Sequence, residues 1–446
     1  MHKGSTSNAR ECALCVLVAC RRSGAWADAS LKAQLGKASL KPQDAALCSR
    51  IVYGVMQNEL LLDYYLSAYC TQKLDHLQPP LADILRIGAY QILFLDKVPD
   101  HAAVSESVEL CRTNGRSAAS GLVNAVLRKV AQNKAQLPAL PQDTLSRLSI
   151  AYSHPKWLVE KLTALLGDAE AEQFLRIDNE ASPITAQVNP LKTDGEALVR
   201  ELSGEGIEAR AHAWVPGCFE LSGTGDLTTL AAFYQGRFTV QDAAAKLVTY
   251  AVGFEKGQDV LDVCAAPGGK SFAAAFAMEN EGHILSCDLH ENKLKRIREG
   301  AQRLGVTCIE TACADGRVFR EEWAGRFDTV ICDVPCSGLG IIRKKPDIRY
   351  KDARELKALP EIQRAILENS ARYVRPGGVL VYSTCTVLPE ENENVTDAFL
   401  SSHPEFIYEE FSLPNGEAAP GYLTLWPQRN GTDGFYLSRM RRREHD

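Results

Sequence analysis

Two short stretches put a thiol where the chain leaves a strand. Residues 333–338 read D-V-P-C-S-G and residues 383–386 read S-T-C-T, each at the end of an apolar run of strand length. A thiolate is a strong nucleophile and a thiol is a usable acid or base. Cys336 and Cys385 together could therefore form a covalent intermediate and then help it break down. An ordinary thiol ionises near pH 8.5, so the attacking one needs help from its surroundings. Asp333, three residues before Cys336, could stabilise positive charge on a substrate ring or hold a cofactor.

A second feature lies upstream. D-V-L-D-V (259–263) runs straight into C-A-A-P-G-G-K-S (264–271) and then an Ala-rich helical stretch. A glycine turn there lets a ligand approach the backbone and meet a helix N-terminus. Cys264, Ala265, Ala266, Pro267, Gly268, Gly269 and Lys270 are the candidates for holding it. A P-loop is excluded because its first glycine would fall at Cys264, and P-G-G does not have G-x-G-x-x-G spacing. Asp288 closes the next strand, twenty residues after Gly268, where a carboxylate accepts hydrogen bonds from two ribose hydroxyls. Asp315, in A-D-G (314–316) after a short third strand, is set to meet an adenine edge. Ribose recognition is shared by NAD and S-adenosylmethionine enzymes, and the thiols separate the two. Carbon 5 of a cytosine is a poor nucleophile. A thiolate adding at carbon 6 makes the ring an enamine that can attack an electrophilic methyl group, after which a second group must help remove the carbon 5 proton.

These residues need strands that end on one side. Apolar runs recur at 259–263, 283–288, 327–333 and 378–383, with helical stretches at 291–304 and 355–374 between them. Such alternation predicts a parallel sheet covered on both faces, with ligands outside the carboxyl ends of the strands. Residues from 406 onward carry strand signals at 422–426 and 435–440. Upstream, residues 9–135 read as helices, with Leu81, Ile84, Leu85, Ile92 and Leu95 at helical spacing and breaks at Pro79-Pro80 and Asn114-Gly115. Residues 150–237 are mixed, with a helix over 157–166 and a strand over 184–189. Three domains are expected: helical over 1–142, small α+β over 143–237, and α/β over 238–446.

The chain of 446 residues is too long for one ordinary core. It has no apolar run of membrane-spanning length, and M-H-K-G-S-T-S-N-A-R lacks the apolar stretch of a signal peptide. A cytoplasmic location is expected, so the fourteen cysteines are read as buried or catalytic thiols rather than disulfides. Cys12 and Cys15 resemble half a zinc site, but nothing completes it, and no metal is expected. The net charge is −6, yet residues 1–50 hold eight basic against three acidic side chains, which suggests an anionic partner for that end. Arg343, Lys344, Lys345 and Arg349 (341–350, I-I-R-K-K-P-D-I-R-Y) are expected beside Cys336, ready for phosphates around a flipped base. The basic R-M-R-R-R (439–443) reads equally as a disordered tail.

V-L-D-V-C-A-A-P-G-G-K-S, D-x-P-C-S-G-x-G and Y-S-T-C-T resemble the motifs of the RNA cytosine-C5 methyltransferases, with Val334 where that family commonly has Ala. The resemblance implies a Rossmann-like, seven-stranded S-adenosylmethionine-dependent domain. In it C-A-A-P-G-G-K, Asp288, Asp315 and Asp333 bind the cofactor, Cys385 is the nucleophile and Cys336 assists release. I-L-R-I-G-A-Y-Q-I-L-F-L-D (84–96), V-P-D-H-A-A-V-S-E-S-V-E-L (98–110) and G-L-V-N-A-V-L-R (121–128) resemble the helical NusB-like RNA-binding domain. The two together are similar to the bacterial 16S rRNA branch of the family. That implies a single 16S rRNA cytosine as substrate, in free RNA or an early assembly intermediate, a monomeric enzyme, and an RNA-recognition-like middle subdomain. Three rival readings have marks of their own. A NAD-dependent oxidoreductase leaves both thiols unexplained, and a non-enzymatic antitermination or assembly factor predicts a degenerate cofactor loop. A DNA cytosine methyltransferase would attack through the Pro-Cys thiol. Within the RNA reading, 23S rRNA or tRNA is the alternative substrate.

Overall fold

The computed structural model describes residues 8–444; most of the N-terminal run read for export signals lies outside them. The chain forms two compact units, Met1–Glu180 with Ile342–Lys351, and Ala181–Ile341 with Asp352–Asp446. No helix of the described residues is long and apolar enough to cross a membrane.

The first unit is helical. Helices Ala9–Ser23, Pro42–Gln57, Leu81–Phe94, Asp100–Thr113 and Ser120–Gln132 share one core, including Leu14, Leu17, Ile51, Ile84, Leu85, Val123 and Leu127. Leu81–Phe94 is the central helix, with every residue but Ala82 buried from Leu81 to Ile92; its apolar side chains fill the core, and its buried Asp83, Arg86 and Gln91 each have hydrogen-bond partners. It starts directly after Pro79-Pro80, and Gly115 turns the chain at φ +70° beyond Thr113. Cys12 is buried in this core while Cys15 is exposed. Part of the basic excess is spent inside the unit. Arg21 pairs with Asp83 and Glu59 at 2.7 Å each, and Arg86 pairs with Asp63 at 2.7 Å and Asp83 at 3.0 Å. Helices Thr144–Ala151, Lys156–Leu166 and Asp168–Ile177 complete the unit.

The second unit begins with a four-stranded antiparallel sheet. Its strands are β1 (Ile184–Val188), β2 (Glu208–Ala211), β3 (Cys218–Ser222) and β4 (Phe238–Val240), in the order β2-β3-β1-β4. Residue 238, the expected start of the catalytic region, opens β4, which pairs with β1 and so belongs to this sheet. The helix Gly195–Gly204 caps it over Ala186, Leu198, Leu202 and Phe238.

The large sheet follows. Its parallel strands are β5 (Asp259–Asp262), β6 (His283–Asp288), β7 (Ile309–Cys313), β8 (Phe327–Asp333) and β9 (Val374–Thr384); β10 (Phe406–Tyr408) closes one edge. A two-stranded ladder, β11 (Phe411–Ser412) with β12 (Ala418–Ala419), precedes β13 (Tyr422–Leu425) and β14 (Phe435–Arg442). The seven-strand path runs β10-β14-β9-β8-β5-β6-β7, and an eighth strand, β13, pairs with β14 off that path. β14 is antiparallel to β9 and β10. Two core clusters, one on each face, bury the Val, Ile and Leu runs of the parallel strands.

The basic run at 439–443 is ordered through Arg442 in β14, correcting the tail reading. Arg439 and Arg441 bond Glu409, and Arg442 donates to the Val374 carbonyl. Pairing along β9 fixes the strand, so these guanidiniums are used within the unit.

Candidate active site

β5 and β8 are neighbours, and the chain leaves β5 toward β6 on one side while β8 and β9 lie on the other. This is the topological switch point of the sheet, where loops from the two halves part and open a crevice. The turn after β5 and the loops after β8 and β9 all rise there.

The turn is the C-A-A-P-G-G-K stretch. Ala265 N–H donates to the Cys287 carbonyl at 2.7 Å, and Gly268 N–H to the Ala265 carbonyl at 2.6 Å, folding the turn back on itself. The Ala266-Pro267 bond is cis. Gly268 sits at φ +107°, and a Cβ there would lie 2.7 Å from the Phe272 ring, so only glycine fits. The helix Gly269–Ala277 starts immediately and leaves its first N–H groups without intrahelical partners. Its first turn is braced from below: Ser286 Oγ donates to Ser271 Oγ, which donates to Asp262 Oδ2, each at 2.7 Å. Asp262 is fully buried at the end of β5, and burial pushes its carboxyl up to about 7. It was not among the expected site residues, although it stands in D-V-L-D-V.

Asp288 ends β6 and Asp315 follows β7, the next strand. Asp288 accepts the His290 N–H at 3.0 Å and faces Lys293 Nζ at 3.3 Å, keeping lone pairs for another donor. Asp315 is more committed. Arg317 binds both carboxylate oxygens, at 2.9 and 2.6 Å, and holds the carboxyl below its usual range.

The two thiols meet. Asp333 and Ser383 are register partners on β8 and β9, so Cys336 and Cys385 leave adjacent strand ends three and two residues later. Their sulfurs are 3.2 Å apart. Ser383 Oγ donates to Asp333 Oδ1 at 2.8 Å, and Lys270 Nζ pairs with Asp333 Oδ2 at 2.6 Å. Lys270 and Asp333, read separately as cofactor ligands, are thus one ion pair. The loop after Cys336 is pinned at its far end: Gly340 N–H donates to the Cys385 carbonyl at 3.0 Å and Gly434 N–H to the Gly340 carbonyl at 2.8 Å. A Cβ at Gly340 would come within 2.0 Å of the Gly434 oxygen, so this close approach of two backbones needs glycine.

The electrostatics are asymmetric. A hydrogen bond from Cys336 holds Cys385 below the ordinary thiol range, against burial and the charges of Asp333 and Asp433, with Lys270 helping. The same hydrogen bond, burial and the nearby charges of Cys385, Glu391 and Asp333 push Cys336 well up. Both directions favour ionisation of Cys385 over Cys336.

Of the basic loop, Arg349 is turned into the helical unit. Residues 342–351 belong to the helical unit. Arg349 is 0% exposed there and donates to the carbonyls of Gln57, Tyr152 and Asp178 and to Asn179 Oδ1. Lys345 and Lys351 lie over the Trp26 ring, at 5.9 and 5.4 Å. A run of four basic residues reads as a solvated cationic loop until tertiary structure shows which head is inside. Among the described residues no group of three or more His, Cys, Asp or Glu could hold a metal ion.

Residues 249–441 match the 16S rRNA methyltransferase RsmB/F family, residues 7–132 the NusB family, and residues 154–228 the RsmF/B-like ferredoxin-like domain. The chain is 36% identical to the probable ribosomal RNA small subunit methyltransferase B of Bacillus subtilis, over 98% of this chain and 99% of that one. The chain belongs to the ribosomal RNA small subunit methyltransferase B family. The Vibrio cholerae member is 34% identical over 90% of each chain. Of solved structures, PH0851 superposes with a TM-score of 0.82 at 26% identity, over 98% of this chain and 99% of that one. A methyltransferase homolog from Pyrococcus horikoshii gives 0.59 at 27% identity, over 68% and 100%.

The ribosomal RNA small subunit methyltransferase B family makes the protein an RNA methyltransferase that uses S-adenosylmethionine. The expected architecture holds: a NusB-like helical domain, a ferredoxin-like subdomain and a Rossmann-like methyltransferase domain. The crevice suits this cofactor. The glycine turn has no Cβ at Gly268 or Gly269 and offers helix N–H groups, and carboxylates end the next strand and follow the one after.

Proposed function

We propose that the protein methylates carbon 5 of one cytosine in 16S rRNA through a covalent adduct on Cys385. The observation that carries this reading is the thiol pair, two sulfurs 3.2 Å apart at adjacent strand ends, and the surrounding charges and hydrogen bond favour ionisation of Cys385. In this reading the Cys385 thiolate adds to carbon 6, and carbon 5 becomes nucleophilic. S-adenosylmethionine supplies the electrophilic methyl group. Cys336 gives its proton to the ring as Cys385 adds, takes the carbon 5 proton after methyl transfer, and the Cys385–carbon 6 bond then breaks to restore the aromatic ring, whose borrowed proton leaves to solvent. Cys264 to Lys270, Asp288, Asp315 and Asp333 hold the cofactor, with Asp333 kept in place by Lys270 and Ser383. A cytosine must leave its stack to reach a crevice at strand ends, which favours single-stranded or loosely structured RNA.

The test is chemical. With isotopically labelled S-adenosylmethionine and 16S rRNA fragments, digestion and mass spectrometry should find the label in 5-methylcytidine. Label in N4-methylcytidine or in a ribose methyl would end the proposal, since neither needs attack at carbon 6.

Asp288 provides a cofactor test independent of RNA. Replacing it by Ala removes charge-assisted hydrogen bonds to the ribose and should weaken S-adenosylmethionine binding by about 2 kcal/mol. Calorimetry on the folded variant showing wild-type affinity would remove Asp288 from the site.

A further inference from the structure

The loop that carries Cys336 is gripped from both sides by one acidic side chain and its partner. Glu391 lies six residues beyond Cys385, in the turn Pro389–Glu391, and is 2% exposed. Its Oε2 accepts the Ser337 N–H at 2.8 Å and Gln363 Nε2–H at 2.9 Å. The same Gln363 nitrogen donates to the Pro335 carbonyl at 3.1 Å, so the residues immediately before and after Cys336 are both tied to this pair. Tyr382 OH donates to the Glu391 carbonyl at 2.5 Å, and Ser337 Oγ to Thr386 Oγ1 at 2.8 Å, which lock the turn to β9. Glu391 forms no ion pair among the described residues, and its Oε1 has no hydrogen-bond partner there.

We propose that Glu391 is a positioning residue for the two-thiol chemistry, its buried carboxylate holding Ser337 directly and Pro335 through Gln363 so that Cys336 faces Cys385. This rests on the two-thiol reading above. A carboxylate is used here where a neutral amide could make the same two hydrogen bonds, and its charge is what distinguishes it. Buried negative charge opposes ionisation of a neighbouring thiol. The charged groups around the pair favour the same outcome. Asp333, the other carboxylate acting on Cys336, is neutralised by Lys270 at 2.6 Å, whereas Glu391 is not matched by a cation. Cys385 is lowered by Cys336 and Lys270 and raised by burial, Asp333 and Asp433. Glu391 is among the charges that raise Cys336 and is not among the leading influences on Cys385, so its charge favours ionisation of Cys385 over Cys336.

The decisive measurement is ionisation of each thiol, read without RNA or cofactor. Iodoacetamide alkylation of the full chain across pH, resolved by residue with mass spectrometry, gives a midpoint for Cys336 and another for Cys385. Glu391→Gln keeps size and hydrogen-bonding capacity but removes the charge. The Cys336 midpoint should fall by on the order of one pH unit. Methylation should slow by at most about tenfold, the most that a one-unit shift can change a group's fraction ionised. Glu391→Asp keeps the charge but draws it back, so the Cys336 midpoint should fall by less. A Cys336 midpoint unchanged in both folded variants overturns the proposal, and if Glu391→Gln does not fold, Glu391→Asp decides alone. A clamp acting only through its accepted hydrogen bonds would leave the midpoint in place in Glu391→Gln, which keeps an acceptor oxygen. Because alkylation needs no turnover, failure of the cytosine-adduct reading would show in the methylation assay while leaving this measurement intact.

Discussion

Cys385→Ala abolishes methylation and yields no protein–RNA adduct, whereas Cys336→Ala still attacks and still transfers methyl but releases RNA slowly. This division follows from the two sulfurs lying 3.2 Å apart with Cys385 the more readily ionised, so that Cys385 is the one available to add to carbon 6. Elimination afterward requires loss of the carbon 5 proton, and water replaces a positioned base poorly. General acid–base assistance is typically worth about 10²–10⁴-fold, so the Cys336→Ala adduct should outlast denaturing electrophoresis. Each variant is incubated with S-adenosylmethionine and labelled rRNA fragment, denatured and run on a gel. A retarded band should appear for Cys336→Ala alone. A band for Cys385→Ala alone would give the attack to Cys336, and bands from neither would remove the covalent route.

Arg349→Met should lower stability by about 1–3 kcal/mol, the cost of leaving a buried acceptor without its donor. Replacing a buried charge by an apolar side chain can be neutral when the whole polar set goes with it. Here the acceptors stay. The carbonyls of Gln57 and Asp178 and Asn179 Oδ1 would lose this donor inside the unit, while the Tyr152 carbonyl keeps Asn179 Nδ2–H at 2.9 Å. Urea unfolding followed by helical circular dichroism should show the midpoint drop with the far-UV spectrum at zero urea retained. An unchanged midpoint would mean that water reaches these carbonyls and that the guanidinium contributes little. Residues 342–351 sit wholly within the helical unit, so the variant should also lose protection of that segment from proteolysis.

Much of this protein is written in local sequence. The strands at 283–288 and 327–333 and the helix at 291–304 fall on the observed boundaries, because apolar runs of strand length and amphipathic spacing are local properties. The glycine turn and the strand-end carboxylates were equally legible, since a backbone needing positive φ and a chain leaving a sheet leave marks within a few residues. The two thiols could be named for the same reason.

What the sequence could not supply is which side chain faces which. Glu390, Glu391 and Glu393 stand together in L-P-E-E-N-E-N and look alike as a solvated acidic run, yet Glu391 is enclosed beside Cys336. Arg349 resembles its cationic neighbours and is entirely inside another unit. Lys270 and Asp333 are sixty-three positions apart and become one ion pair only when β5 and β8 lie side by side. Composition and periodicity record the preference of a residue averaged over its own neighbourhood. Burial of a charge is decided by partners brought in from distant elements, so the sequence by itself determined the scaffold and the reactive residue types, and the tertiary structure alone decided which charges act on them.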